Sequence, residues 1–531
     1  MSATTLPAMA LPKAPPAPPA ARAITWREWV GFMAMVFGMF MAILDIQIVS
    51  ASISEIQAGL SASPDEAAWV QTSYLIAEIV MIPLSGWLSR LLSTRVLFTL
   101  SASGFTLFSV ACAFSTSLGA MVSFRVLQGF FGGAMIPTVF ATTYLLFPPA
   151  KRASMSVLIG LTATLAPTIG PTLGGWLTNE LSWHWLFLIN VPFGVIVAIV
   201  VWTLLDIDKP NKALLRTFDL FGLTMMAGFL GSVEYVLEEG NKNDWFQDET
   251  IAWFGVVAAI CGVLFFWRML TRDDPMVDLR AFANRNFAAG CLFSFVMGTG
   301  LYGAVYVVPV FLSRVRDYNS MQIGETMFVT GAAMFVASPI AGKLAGIVDM
   351  RKMLAAGLLM FGISLWWLGH FTNQSAFWEM LLPQALRGFS LMFVMLPTNQ
   401  LALGTLPPQK LKNASGLYNL MRNLGGAIGL ALINTVASSR LDVHRQHLDE
   451  QVTWARPAAQ NMLNQMTWAL TPGMNGNAQL AAIKKMSLMV EREATTLTYN
   501  DVLLLMSLAF FFALPLTFFL KKPKGAGGGA H

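Results

Sequence analysis

Ionisable side chains stand inside long apolar stretches of this chain, where each must either be paired or be used. Asp45 interrupts "FMAMVFGMFMAILDIQIV", Glu78 lies in "SYLIAEIVMIPL" and Arg125 in "SFRVLQGFFGGAMIP"; Arg387 and Arg422 sit in later stretches of the same kind. A charge left alone at the centre of a bilayer costs at least about 2.5–3.5 kcal/mol, so such groups mark ion or substrate pathways or packed ion pairs. Asp45 lies about six residues before one end of its stretch and Arg125 about six after the start of its own, which puts both about 9 Å below the same face at helical rise. Equal depth permits pairing. The pair is either a proton site, with Asp45 taking the proton and Arg125 tuning it, or a static contact that fixes packing. Glu78 is about 15 Å deep, near the midplane, and nothing in its own stretch pairs with it. It either carries a proton or touches substrate, or it is a neutral hydrogen-bonded group lining a wet cavity. Gln128, Arg387, Asn399 and Arg422 complete the candidate cavity. The two arginines either hold an anionic substrate or balance Glu78; alternatively they bind backbone carbonyls and glue helices together.

Other chemistries lack their residues. There is no phosphate-binding loop, no GxGxxG after a strand and no HExxH, which speaks against nucleotide hydrolysis or metalloprotease work. The three cysteines, Cys112, Cys261 and Cys291, fall inside apolar stretches without metal-ligand or disulfide spacing. No metal, no cofactor and no enzyme activity is expected.

These residues are carried by elements of one type. The 531 residues are 55% hydrophobic and only 12% charged, about half the charged share of a soluble domain. Fourteen apolar stretches of roughly 20 residues, the length that spans a bilayer as a helix, follow one another. The fold class expected is an all-α polytopic membrane protein. An even number of spans puts both termini on one face. The loops on that face collect most of the lysines and arginines, among them Arg90, Arg95, Lys151, Arg152, Lys410 and Lys412. Basic loops stay in the cytoplasm, so both termini are expected there, and the net charge of +5 is a topology signal rather than a sign of nucleic-acid binding. Residues 1–25 are a Pro/Ala-rich tail expected to be disordered, and 521–531 form a second tail. The long loop 438–499 reads as amphipathic helix that either docks a partner or caps the protein, with Lys484, Lys485, Glu491, Arg492 and Glu493 as a candidate polar rim.

The chain also repeats itself. "FPPAKR" at 147–152 returns as "LPPQKLK" at 406–412, with Lys151 and Lys410 259 residues apart and Gly129 and Gly388 preceding them at the same offset. "PLSGWLSRLLSTRVL" from Pro83 returns as "PIAGKLAGIVDMRKML" from Pro339, an offset of 256 that pairs Gly86 with Gly342 and Arg95 with Arg351. The reading is two parallel six-helix halves, 26–210 and 281–520, separated by two inserted helices in 211–280. Parallel halves around a midplane site describe a transporter built from repeats.

At this point the chain resembles the major facilitator superfamily, and within it the fourteen-helix drug/proton antiporters. "SFRVLQGFFGGAMIP" is similar to that superfamily's fourth-helix motif at Arg125, Gln128 and Gly129. "APTIGPTLGGW" resembles the antiporter motif of the fifth helix at Gly170, Pro171, Gly174 and Gly175. "LDIQIV" resembles the first-helix motif at Asp45, and "WHWLFLINVPFG" from Trp183 the family's helix 5–6 segment. The likeness is strongest to EmrB-type permeases and covers about 25–531. It implies export of lipophilic small molecules across a bacterial inner membrane in exchange for protons. The proton gradient then stands in place of any cofactor, with a periplasmic adaptor and, through it, an outer-membrane channel as partners. Gly86, Arg90, Arg95, Gly342, Asp349 and Arg351 would form the cytoplasmic gating loops. The glycine motif of the fifth helix would make a bendable seal between the halves. Abundant Met, Phe and Trp (31, 38 and 16) suit a cavity open to many lipophilic molecules, though most such residues contact lipid or core. The chain departs from the pattern where Gln47, Ser50 and Ser54 replace Thr, Asn and Pro, and where Arg90 and Ser93 replace an acid and a glycine. The competing readings are a proton-coupled importer and a membrane sensor or enzyme.

Overall fold

The computed structural model describes residues 24–471 and 477–521. The two expected tails lie outside them, apart from Ile24, Thr25 and Lys521. Among the described residues, fourteen long helices cross the molecule: α1 (Trp26–Ala51), α2 (Pro64–Leu92), α3 (Thr94–Ala113), α4 (Leu118–Leu146), α5 (Pro149–Glu180), α6 (Trp185–Leu204) and α7 (Leu220–Glu239) come first. They are followed by α8 (Glu249–Thr271), α9 (Arg285–Arg316), α10 (Ser320–Leu344), α11 (Met350–Leu368), α12 (Phe377–Leu403), α13 (Leu411–Asp449) and α14 (Ala478–Ala513). Thirteen of them meet the length and hydropathy of a membrane span, and α5, 32 residues long, packs between α1 and α10 as the remaining crossing. Among the described residues there is no strand.

The helix starts are written locally. Thr25 and Glu28 form a reciprocal capping box for α1 and Ser63 and Glu66 one for α2. Each closes two backbone donors that a helix end leaves free. Asp219 caps α7 through the Gly222 N–H. It also binds Arg268 (3.0 Å) and Arg272 (2.7 Å) at the end of α8, which clamps the inserted hairpin. Burial pushes this carboxyl up, but the Gly222 N–H and the two guanidinium groups together hold it below its ordinary value of 3.8.

Two halves are visible in how the helices approach. In the first, a Cβ on Gly129 of α4 would run into the Tyr74 carbonyl of α2. In the second, a Cβ on Gly388 of α12 would run into the Thr330 carbonyl of α10. Tyr74 and Thr330 are 256 residues apart, the offset of the repeated loop. Small residues let backbones touch at equivalent places in both halves. The inserted α7 lies along α2 and pairs with α8.

We call the face carrying both chain ends the terminal face and the other the distal face. At the terminal face the halves are closed against each other by α2, α4 and α13. A Cβ on Gly86 would lie 2.8 Å from the Lys412 carbonyl oxygen and one on Gly416 3.0 Å from the Ile82 carbonyl oxygen, and Ser415 donates to the Pro137 carbonyl at 2.9 Å. At the distal face the expected loop 438–499 is largely continuous helix. α13 runs on to Asp449 and α14 begins at Ala478, with the helix Pro457–Leu470 packed on the latter. Its residues 472–476 lie outside the described set. The expected polar rim is only partly exposed. Lys484, Lys485 and Glu491 face out, but Glu493 accepts from Asn373 at 2.7 Å and Arg492 lines a cavity with Tyr306 and Arg314.

Candidate functional site

The first-half polar residues form one closed cluster. Arg125 Nη1 donates to Asp45 Oδ2 at 2.7 Å and to Gln128 Oε1 at 2.7 Å, and Arg125 Nε donates to the Val70 carbonyl at 2.9 Å. Asp45 Oδ1 accepts from Asn190 Nδ2 at 2.7 Å and from Gln128 Nε2 at 3.1 Å. Gln128 Nε2 also donates to Ser109 Oγ at 2.8 Å. The guanidinium lies over the Tyr74 ring, 4.2 Å from its centroid. Asp45, Arg125, Gln128 and Ser109 are all 0% exposed. Five helices, α1, α2, α3, α4 and α6, thus meet on one carboxylate and one guanidinium. Charge-assisted hydrogen bonds of this kind are about twice as strong as neutral ones. Deleting one partner of a buried pair costs about 3–5 kcal/mol, because the survivor is left charged and dry.

Sequence reasoning missed Asn190 and Ser109. The signal for Asn190 was present: it is the lone amide in "WLFLINVPFG", and a polar side chain in such a run needs a partner.

Glu78 stands outside this cluster, one helical turn beyond Tyr74. It is 3% exposed, and Arg422 and Arg125 are the cations near it. Arg422 on α13 is 2% exposed, has no partner for Nε or Nη1, and lies over the Phe140 ring at 5.5 Å. Arg422 is therefore a buried cation with open hydrogen-bonding capacity between the halves. Asn399 on α12 is fully buried with neither amide atom partnered. Arg387 behaves differently. It donates to the Ala304 carbonyl (3.2 Å) and to Thr330 Oγ1 (3.0 Å), so it ties α12 to α9 and α10 and does not balance Glu78.

The glycine motif on α5 faces the first half, not the seam between halves that the sequence led us to expect. Gly170 sits against the Gln47 side chain, and a Cβ on Gly174 would lie 2.9 Å from the Ile48 carbonyl oxygen and 3.0 Å from Ser52 Oγ. α5 is thereby laid directly on the stretch of α1 that carries Asp45. Pro171 and Gly175 are half-buried beside them. Contact with the second half comes from other positions of α5: Thr172 against Gly324 of α10, and Gly160 against Met392 and Met395 of α12.

At the terminal face, Arg90 approaches Asp274 at 4.0 Å and Arg95 lies over the Trp202 ring at 5.3 Å. Arg351 pairs with Asp349 at 2.8 Å. A Cβ on Gly86 would run into the backbone of α13, whereas one on Gly342 would meet only Val157, at 4.0 Å. The carboxylate that the α2–α3 loop lacks comes from Asp208, which was not singled out from the sequence. Asp208 receives the Thr94 backbone N–H at 3.0 Å and pairs with Lys412 Nζ of the second half. Lys412 also donates to the Ser89 carbonyl at 2.8 Å. Ser93 takes φ 84°, a conformation that favours the glycine usual there.

Comparison with known proteins agrees with this architecture. Residues 35–430 match the family model of the Major Facilitator Superfamily. The chain is 44% identical over 496 residues to the colistin resistance protein EmrB of Acinetobacter baumannii, covering 93% of this chain and 97% of that one. It is 33% identical over 501 residues to the multidrug export protein EmrB of Escherichia coli, covering 94% and 96%. Among solved structures, the human organic anion transporter MFSD10 superposes with a TM-score of 0.56 at 14% identity, over 91% of this chain and 99% of that one. The chain therefore belongs to the major facilitator superfamily and, within it, to the EmrB-type permeases.

Proposed function

We propose that this protein is a proton-coupled antiporter exporting lipophilic small molecules across a bacterial inner membrane, with the terminal face in the cytoplasm. The relatives' names, colistin resistance and multidrug export, support the export of drugs. The observation that carries proton coupling is the set of alternatives open to Arg125. Asp45 holds three donors from α4 and α6 while ionised. When a proton binds Asp45, Arg125 keeps the Val70 carbonyl, Gln128 Oε1 and the Tyr74 ring. Protonation thus loosens α1 from α4 and α6; the guanidinium keeps these three contacts but loses its counter-ion, and its Nη2 has no partner, so the rearrangement of the cluster is driven by the stranded charge. Because Gly170 and Gly174 seat α5 on the same part of α1, that loosening reaches the helix that contacts the second half. The proton gradient supplies the energy, and no cofactor is needed. Lipophilic substrate is held between the halves, near Glu78, Arg422 and Asn399.

The test is active efflux from proteoliposomes with an imposed pH gradient. Asp45→Asn protein should insert and fold but lose gradient-driven efflux. Well-folded Asp45→Asn protein that still drives efflux overturns the proton-site role.

Export beyond a second membrane requires further proteins, and the helical distal extension is where we place a periplasmic adaptor, itself the link to an outer-membrane channel. Trp454, Trp468 and Leu480 are exposed there at 65%, 82% and 68%, large apolar side chains that a partner could cover. Replacing 445–495 with a short Gly/Ser linker should weaken co-purification with a tagged adaptor and whole-cell resistance together, and leave substrate binding unchanged. Adaptor capture at the wild-type level would move the contact to other helix ends.

A further inference from the structure

The inserted hairpin carries acids that neither the repeat nor the ion-pair cluster uses. Glu234, Glu238 and Glu239 lie on α7; Glu234 is 6% exposed and its Oε2 has no partner. α7 runs antiparallel to α2 in a fixed register. Gly231 faces Ile76, with 3.4 Å from an added Cβ to the Ile76 side chain. Tyr235 stacks on Trp69 at 5.4 Å, and Thr72 donates to Glu239 at 3.4 Å. This register sets Glu234 level with the turn of α2 just outside Glu78. Glu238 follows one turn further out, a rise of about 6 Å on the same helix face.

The groups around this row are independent of it. Tyr302 on α9 is under the influence of Arg422, Glu78 and Glu234 together, and Arg422 brings its two unpartnered guanidinium nitrogens to the same place. One turn further along α9, Tyr306 feels Glu238, Lys242 and Arg314. Tyr306 also lines a cavity of about 550 Å³ at the distal end, with Asn241, Arg314, Ser438 and Glu491. Glu238 from its own helix and Glu78 from α2 act on Glu234, and Tyr302 on α9 is near both Glu234 and the α13 cation Arg422. The neighbouring α8 presents Phe254 beside Tyr235. Among the described residues no ion pair within 4 Å involves Glu78, Glu234, Glu238 or Arg422, and Glu239 is neutralised by Lys242 at 3.0 Å.

We infer that α7 is a proton entry path: Glu238 and Glu234 relay protons from the distal cavity to Glu78 between the halves. The inference rests on the proton-coupled reading above. Each transfer protonates one carboxylate and deprotonates the one outside it, so one proton moves inward and no other bond changes. A water molecule can bridge each step of about one helical turn.

The full-length protein in liposomes is followed by the carboxylic-acid C=O stretch in infrared difference spectra, titrated and then jumped in pH from the distal side. Wild-type protein should show a band that Glu78→Gln removes and a second that Glu234→Gln removes. In Glu234→Gln, protonation of Glu78 after the jump should slow about tenfold or more, and Glu234→Asp should restore most of the rate. Glu238→Gln should slow it in the same direction. The substitution to Gln keeps shape and removes only the proton site, and thermal unfolding of each variant checks the fold. Unchanged Glu78 kinetics in folded Glu234→Gln protein overturns the path. A wild-type protein in which neither acid titrates also overturns it. Proton coupling at Asp45 is judged separately by gradient-driven efflux, so the two ideas fail independently.

Discussion

Asp45 and Arg125 show what a single pair does when five helices converge on it. The carboxylate is saturated by three donors, and one of them, Asn190, reaches in from α6. Removing a hydrogen bond to a charged group costs about 1.5–3 kcal/mol. Asn190→Leu should therefore lower the melting temperature in detergent, yet less than Arg125→Leu, which strands the carboxylate altogether. Asn190→Leu should also weaken coupling, seen as a smaller drug gradient built per imposed pH gradient. A variant with wild-type stability and coupling would reduce Asn190 to a bystander. The pairing of Asp45 with Arg125 was legible in the sequence because each residue's distance from the end of its stretch gives its depth. For Asn190 the need for a partner was legible but not which partner, because α6 begins in the four-residue helix 185–188, and no count of residues tells which way that piece aims it. The isolation of Arg422 was equally hidden, since an unpartnered group is defined by what all other helices fail to bring.

At the scale of elements, glycine decides which helices touch. Gly174 is buried against the Ile48 carbonyl, so any side chain there must push α5 off α1. Overpacking of this kind costs about 1–3 kcal/mol. Gly174→Leu should express poorly or, where folded, transport slowly, with Gly174→Ala between it and wild type. Normal rates in folded Gly174→Leu protein would mean that the α1–α5 contact is dispensable. Helix identities were well written in the sequence, helix ends less so. The long distal loop was expected to run to 499, but α14 starts at Ala478. The reason is that 478–513 holds neither Gly nor Pro. Nothing stops the amphipathic distal segment from fusing with the apolar one, and a hydropathy boundary is not a helix boundary. The motif on α5 was read correctly as a close-packing surface and assigned to the wrong neighbour, because small residues announce an approach without naming the partner.

For the molecule as a whole, the two halves must part on one face and close on the other, so the contacts that cross between them hold the equilibrium. At the terminal face the crossing charge contact is Asp208 with Lys412. Asp208 sits after α6, is fixed by the Thr94 N–H at the start of α3, and so belongs rigidly to the first half. Lys412 opens α13 beside Asn413, whose Cα would lie 2.7 Å from a Cβ added to Gly86. The contact is partly buried, with side chains 11% and 20% exposed, and is therefore screened less by salt than a surface pair. Asp208→Lys places two cations where the halves meet and should shift the population toward a state open at the terminal face. The exchange Asp208→Lys with Lys412→Asp restores opposite charges at the same place and should recover part of the closure. The Thr94 N–H then still loses its acceptor, so recovery should be incomplete. The measurement is alkylation of a cysteine substituted for Ser415, a residue buried against the Pro137 carbonyl in the closed face. Labelling should be slow in the parent, fast in Asp208→Lys and intermediate in the exchange. Equal labelling of the single and exchanged variants would show that charge across this seam does not set the equilibrium, and that packing of Gly86 and Gly416 does.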